Sequence, residues 1–287
     1  MRRLTDTGPN AEQIRYWNED AGPKWVAFGD RLDGHIEALG RLAMDRAAVA
    51  AGERVLDVGC GCGHSTLLLG ERVGAAGHVT GIDISAPMLE RAAQRARDAG
   101  AANLDFAVAD AQTAELAGGP FDLVYSRFGV MFFQDPPAAF ANLRRVLGAE
   151  GRLAFVCWQP LGANPWLLEP LLAAGKHVEL PAPPEPGAPG PFSLGDRDHL
   201  RAVLGEAGYE RIEIEGVETQ LTLGGSGGVD EATGFLLEGV GPTSRILAQA
   251  DAATRDAVAQ AVRQVVASHL TPEGVRMDCA VWTVVGR

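Results

Sequence analysis

Residues 55 to 66 read VLDVGCGCGHST. An apolar run reaches Asp57 and then breaks into Gly59, Gly61 and Gly63, with Cys60 and Cys62 between them. A strand that ends in a glycine-rich turn and opens a helix makes a site for a nucleotide-like ligand. The missing Cβ atoms let the backbone come near, and the first turn of the helix offers free N–H groups to an anion. The dinucleotide fingerprint G-x-G-x-x-G has its third glycine where His64 stands here. The actual pattern, G-x-G-x-G, leaves more than one nucleotide-like ligand open.

Three further polar residues stand at the ends of apolar runs. The second apolar run ends at Asp83 in GIDIS, where an acid can accept hydrogen bonds from two ribose hydroxyls. Asp110 lies in VADAQ, where an acid can accept from an adenine amino group. Ser126 sits near the tip of FDLVYSR. In an open α/β sheet such residues meet in one groove beyond the carboxyl ends of the strands, where strand order reverses.

The elements that must position them follow a rhythm. Strands are expected at 54–58, 78–84, 104–110, 121–127 and 152–158, and helices at 64–73, 86–100 and 135–151. This alternation predicts an α/β fold: a Rossmann-like, doubly wound, mostly parallel sheet. Residues 11 to 50 read as helices carrying Tyr16, Trp17, Trp25 and Phe28, with the stretch 36–50 stopping at Ala51-Gly52. After Trp158 the rhythm changes. PAPPEPGAPGP, residues 181–191, excludes helix and central strand and reads as a stiff surface loop or lid. A helix at 196–208, a strand at 210–223, a flexible GGSGG break at 224–228, helices at 229–240 and 251–269 and an antiparallel final strand complete the chain. The expected organisation is a helical cap over 1–50, a cofactor-binding core over 51–158, and a segment 159–287 that completes the sheet and adds lid elements.

Composition bounds the partners. At 287 residues the chain can bury a full core. The formal net charge of −12, and lysines only at Lys24 and Lys176, argue against a sequence-independent grip on nucleic acid. No window approaches a membrane span, and MRRLTDTGPNAEQ lacks the apolar stretch of a secretory signal. Cys60, Cys62, Cys157 and Cys279 do not make a disulfide framework in a chain this long, which points to a reducing, cytoplasmic setting. Cys60 and Cys62 read as small packing residues, since C-x-C alone does not supply a metal site; no metal is expected.

Taken together, VLDVGCGCG, GIDIS, DAQT, FDLVYSRFGVMFF and LRRVLGAEGRLAFVCW resemble the ordered motifs of class I S-adenosylmethionine-dependent methyltransferases. The resemblance covers about residues 54 to 158 and is weaker at YWNEDAGPKW and the C-terminal strands. It implies S-adenosylmethionine as cofactor and S-adenosylhomocysteine as product. It implies that Asp57, Gly59 and Gly61 shape the turn around the methionine part, that Asp83 holds the ribose, and that Ile84 and Met88 pack on the adenine. Asp110, Ala111 and Gln112 would read the adenine edge, Ser126 would face the methionine ammonium through its backbone, and Tyr16 and Trp25 would close over the cofactor.

The acceptor side is less legible. Phe28, Phe128, Met131, Trp158 and Trp166 are candidates for an apolar pocket, while Phe132 and Phe133 read as core. Arg127 either pairs with a ligand carboxylate or braces the fold. His35, His64 and His177 are candidate general bases, with a polar helix start as the plainer reading of His64. The expected reaction is methyl transfer to a small, partly apolar metabolite by a monomer or homodimer. An NAD-dependent oxidoreductase, or a cofactor-binding protein diverted to other chemistry, is the alternative.

Overall fold

The computed structural model describes residues 3–5, 7–185, 187–225, 228–239, 241–247 and 250–287. Pro186 of the proline-rich stretch, Ser226 and Gly227 of the GGSGG break and Val240 at the end of an expected helix lie outside the described residues.

The chain starts with α1 (Ala11–Arg15), a π-helical turn at Tyr16–Asp20, and the long α2 (Ala21–Arg46). Then β1 (Arg54–Val58), α3 (His64–Val73), β2 (His78–Asp83), α4 (Ala86–Asp98), β3 (Leu104–Val108), β4 (Phe121–Arg127), α5 (Pro136–Arg145) and β5 (Leu147–Trp158) alternate as the sequence rhythm predicts. Beyond β5 come α6 (Pro165–Ala174), α7 (Arg197–Glu206), β6 (Ile212–Leu223), α8 (Gly228–Glu238), α9 (Pro242–Ile246), α10 (Ala252–Ser268), β7 (Leu270–Thr271) and β8 (Gly274–Gly286).

The sheet order is β3-β2-β1-β4-β5-β8-β6, with β7 paired to β8. The first five strands are parallel, and β8 runs antiparallel to both β5 and β6. The expected α/β architecture with an antiparallel C-terminal strand is therefore the observed one. Strand order reverses between β1 and β4, so the end of β1 lies at the switch point where open sheets bind ligands.

Most element ends fall within two residues of the sequence reading, but two regions differ by more. The helix expected over 135–151 stops at Arg145, and β5 begins already at Leu147, opposite Phe121. Residues 148–151 fold tightly against β4: a Cβ at Gly151 would meet the Phe121 carbonyl at 2.8 Å and Gly148 N at 3.0 Å. Apolar spacing does not report such a contact. The helix expected to reach residue 50 ends at Arg46, where Ala48 turns to φ 50°.

One buried guanidinium fixes the far end of these elements. On β5, Arg152 donates to both oxygens of Glu53, at 2.9 and 3.0 Å, to the carbonyls of Asp122 and Ala48, each at 3.2 Å, and to the Ala47 carbonyl. It ties the end of α2 to the starts of β1 and β4. Arg152→Ala leaves the largely buried Glu53 carboxylate without its cation, accepting among the described residues only from Ala50 N, and takes the guanidinium from three carbonyls, so it should cost about 3–5 kcal/mol in chemical denaturation. Arg152→Lys should recover only part, because an ammonium lacks the fork. A loss below about 1 kcal/mol, the range of exposed pairs, would contradict this role.

Candidate functional site

The glycine turn is tight because the protein itself crowds it. Gly59 has φ 65°, and a Cβ there would lie 2.8 Å from the Cα of Gly129 in the loop after β4. At Gly61, φ is 56° and a Cβ would lie 2.9 Å from Met88 Cε. Cys60 and Cys62 fill the remaining gaps and are buried. Burial pushes the Cys60 thiol well up and the Cys62 thiol to about 12, so neither ionises near neutral pH.

Two carboxylates organise the strand tips. Asp83 Oδ2 accepts from Gly61 N at 2.9 Å, and its Oδ1 accepts from Ser85 N at 2.8 Å. Burial raises its pKa, against the pull of these N–H bonds. Asp57 is fully buried. Its Oδ2 accepts from Ser65 Oγ at 2.8 Å and Thr66 Oγ1 at 2.7 Å, pinning the first turn of α3 to β1. Its Oδ1 has no partner among the described residues. Burial raises the Asp57 pKa to about 6, and the two hydroxyls only partly offset this. Ser126 Oγ donates to the Val58 carbonyl at 2.8 Å and accepts from Gly129 N at 3.2 Å, joining the tips of β4 and β1.

Asp110 is buried and crowded with donors. Asn10 Nδ2 lies 2.8 and 2.9 Å from its two oxygens, Gln112 N 2.9 Å from Oδ1 and Thr113 Oγ1 2.7 Å from Oδ2. The Ala111 carbonyl accepts from Asn142, and the Gln112 side chain accepts from Asp135 N. The Asn10–Asp20 stretch runs over these groups. Trp17 packs with Met88, Cys62 and Ala21, its ring edge-on to Phe132 at 5.0 Å. Asn18 donates to the Ile84 carbonyl at 2.9 Å and accepts from Ala86 N at 3.1 Å. Tyr16 and Trp25 are only partly buried and stand edge-on to Trp17, and the Tyr16 hydroxyl accepts from Arg245 at 2.8 Å. Trp17, rather than either of them, is the aromatic residue buried against Met88.

Arg127 spans the cap and the core. It donates to Asp33 at 2.6 Å and lies 3.1 Å from His64 Nδ1, tying α2 and the start of α3 to the tip of β4. Asp33, buried on α2, also accepts from Arg95 at 2.7 Å. His64 Nε2 sits 3.2 Å from Glu37. Both ring nitrogens of His64 thus face partners, and burial lowers its pKa. His177 is exposed just past α6. His35 differs: its Nδ1 is buried without a partner among the described residues, its ring lies 4.4 Å from Phe235, and burial lowers its pKa.

On the acceptor side, Phe128 follows the tip of β4 with φ 61°, a rare conformation for a bulky residue. Its ring stacks on Trp158 at 4.3 Å, and Trp158 leans on Trp166 at 5.2 Å. The Trp166 indole N–H is buried with no acceptor among the described residues. Trp166 and Phe235 line a small cavity between α6, α8 and the start of α9. Met131 is buried, and its carbonyl accepts from Gly190 N and Ser193 Oγ, fastening the end of the proline-rich segment. Phe28 packs at the edge of the main core.

Asn10, Asn18 and Asp33 were not singled out from the sequence, and Trp17 was named only as an aromatic residue of the N-terminal helices. Asp33 carried a signal: it is an acid within the buried stripe of Leu32, Ile36, Leu39 and Ala43. The two asparagines carried none beyond polarity.

Comparison with known proteins settles the family. Residues 55–151 match the family described as methyltransferase domain. The O-methyltransferase cnsE of Penicillium expansum is 30% identical over 221 residues, which cover 76% of this chain and 72% of that protein. The chain belongs to the class I S-adenosylmethionine-dependent methyltransferases. Aklanonic acid methyltransferase DauC of Streptomyces sp. strain C5 is 39% identical over 117 residues, 41% of this chain and 53% of that relative. The chain spans just over half the length of the first curated relatives it matches. The solved YcgJ protein of Bacillus subtilis shares this fold, with a TM-score of 0.57 at 18% identity over 88% of this chain and 98% of that one. No described helix is long and apolar enough to cross a membrane.

The orphan oxygen of Asp57 has a measurable consequence. A carboxylate with a folded pKa near 6, raised from 3.8, is held less stably when charged. The folded state then binds the proton more readily, so stability falls as pH rises from about 4 through 6. Asp57→Asn removes that charge and should stabilise the ligand-free protein at pH 8 by up to about 3 kcal/mol. It should also flatten the stability profile between pH 4 and 6. Urea denaturation across pH checks this, and an unchanged slope in the variant would contradict it.

Proposed function

We propose that this protein transfers a methyl group from S-adenosylmethionine to a small, partly apolar metabolite. The observation that carries the reading is Asp83: one carboxylate at the switch point, anchored by Gly61 N and Ser85 N, beside the glycine turn. The residues suit the cofactor. Each Asp83 oxygen retains a lone pair for a ribose hydroxyl. The partnerless Oδ1 of Asp57 suits a cationic group at the glycine turn. Asp110 supplies an acceptor for an adenine amino group, Ala111 and Gln112 flank it, and Ile84 and Met88 supply apolar walls. Ser126 positions the β4 tip against the methionine end. When bound, the cofactor supplies an electrophilic methyl group on a sulfonium.

The chain's remaining task is to orient the acceptor and keep water out. Phe128, Trp158 and Trp166 form an aromatic wall leading away from the β4 tip, with Met131 in the turn that follows β4 and Phe28 on α2 in the cap. His35 is the residue assigned to receive a proton from an acceptor hydroxyl, because its burial keeps the imidazole neutral and its Nδ1 is uncommitted. His64 is committed to Arg127 and Glu37, and His177 faces outward, so neither takes that role. Relatives named as O-methyltransferases support an oxygen acceptor. The domain division into an N-terminal cap, a core over 51–158 and a C-terminal segment with lid elements is part of this reading.

Asp83→Ala should weaken S-adenosylhomocysteine binding by about 3–6 kcal/mol, the worth of two hydrogen bonds to a charged group. Calorimetric titration of the variant measures it. Unchanged affinity in a folded variant would contradict the placement of Asp83 on the ribose.

A further inference from the structure

The residues assigned to the adenine end of the groove are the ones the N-terminal segment holds. Asn10 Nδ2 faces both oxygens of Asp110, and Asn10 Oδ1 accepts from Gln134 N at 3.2 Å. Asn10 is itself buried. An amide NH2 set against the two oxygens of a carboxylate presents the same donor group that an exocyclic adenine amine would present. Seven residues on, the Trp17 ring packs on Met88 and Cys62. The Trp17 carbonyl accepts from Ser85 Oγ at 2.7 Å, and Asn18 clamps Ile84 and Ala86 from both sides. A planar aromatic group and an amide donor thus occupy the apolar wall and the polar edge together.

The backbone here departs from a regular helix. Tyr16–Asp20 is a π-helical turn between two α-helical stretches. Such bulges are uncommon and gather at functional sites. A Cβ at Gly22 would lie 2.0 Å from the Trp17 carbonyl and 2.8 Å from Ser85 Oγ, so the turn closes over this residue only because it is glycine.

We propose that residues Asn10–Asp20 form an internal competitor for the cofactor: the Asn10 carboxamide and the Trp17 indole take the place of the adenine, and the segment must leave before the cofactor enters. This rests on the assignment of Asp110, Ile84 and Met88 to the adenine. The apparent affinity is then the intrinsic one reduced by the fraction of molecules with the segment displaced. Weakening the segment's own contacts therefore tightens cofactor binding, the opposite of what loss of a cofactor ligand does.

The test uses the full chain, with calorimetry and stopped-flow binding of S-adenosylhomocysteine to wild type, Asn10→Ala and Asn10→Asp. The alanine removes the donor. The aspartate keeps the size but sets a carboxylate against Asp110. Both variants should bind at least fivefold more tightly than wild type. In wild type the observed association rate should level off with ligand concentration at the opening rate, and both variants should raise that plateau. Two variants guard against one failing to fold, which circular dichroism reports. Equal affinity and equal kinetics in all three proteins would overturn the competitor while leaving the cofactor reading intact. Weaker binding by the variants would overturn it by making Asn10 part of the bound site. No binding by any of the three would overturn the cofactor reading and the competitor with it.

Discussion

The site depends on one carboxylate shared between two turns. Asp83 ends β2, yet it accepts an N–H from Gly61 after β1 and another from Ser85 at the start of α4. A charged acceptor makes such bonds stronger than neutral ones, and its burial makes losing either costly. The turn it holds is already forced by backbone contact, because Gly59 meets Gly129 and leaves no room for a side chain. Ser126 ties the same loop back to Val58. The end of β1, the tip of β4 and the start of α4 are thereby held as one rigid rim around the switch point.

Charge burial on this rim follows a consistent logic. Arg127 and Arg95 converge on Asp33, so the long helix α2 is anchored to the tip of β4 and to α4 by a buried ionic cluster. His64 is drawn into that cluster and held by Arg127 and Glu37. Asp57 stands apart, with one oxygen committed to α3 and the other to nothing among the described residues. A buried acid kept at such a cost to stability is typical of functional sites.

The parallel half of the fold was legible because buried strands and glycine-stopped helices leave periodic, local signals. Strands β1 to β5 and the polar residues at their tips could be read directly. The start of β5 could not, since it is set by the close approach of Gly151 to Phe121 rather than by apolar spacing. The tip residues of the groove were legible as types at positions, but their partners were not. Nothing in GPNAEQIRYWNED announces that Asn10 reaches Asp110, a hundred residues away, or that Trp17 rather than Tyr16 or Trp25 is the buried ring. Arg127 was an open question in sequence because a strand-tip arginine serves either role. The acid it pairs with, Asp33, lies on a different element.

The cofactor assignment is tested most sharply by calorimetric titration of the wild-type protein with S-adenosylhomocysteine and, separately, with NAD. Saturable binding of S-adenosylhomocysteine in the micromolar range, on the order of −8 kcal/mol, with no binding of NAD, is the expected result. Binding of NAD with none of S-adenosylhomocysteine would contradict it, because the rim held by Asp83 and the glycine turn would then serve a different nucleotide.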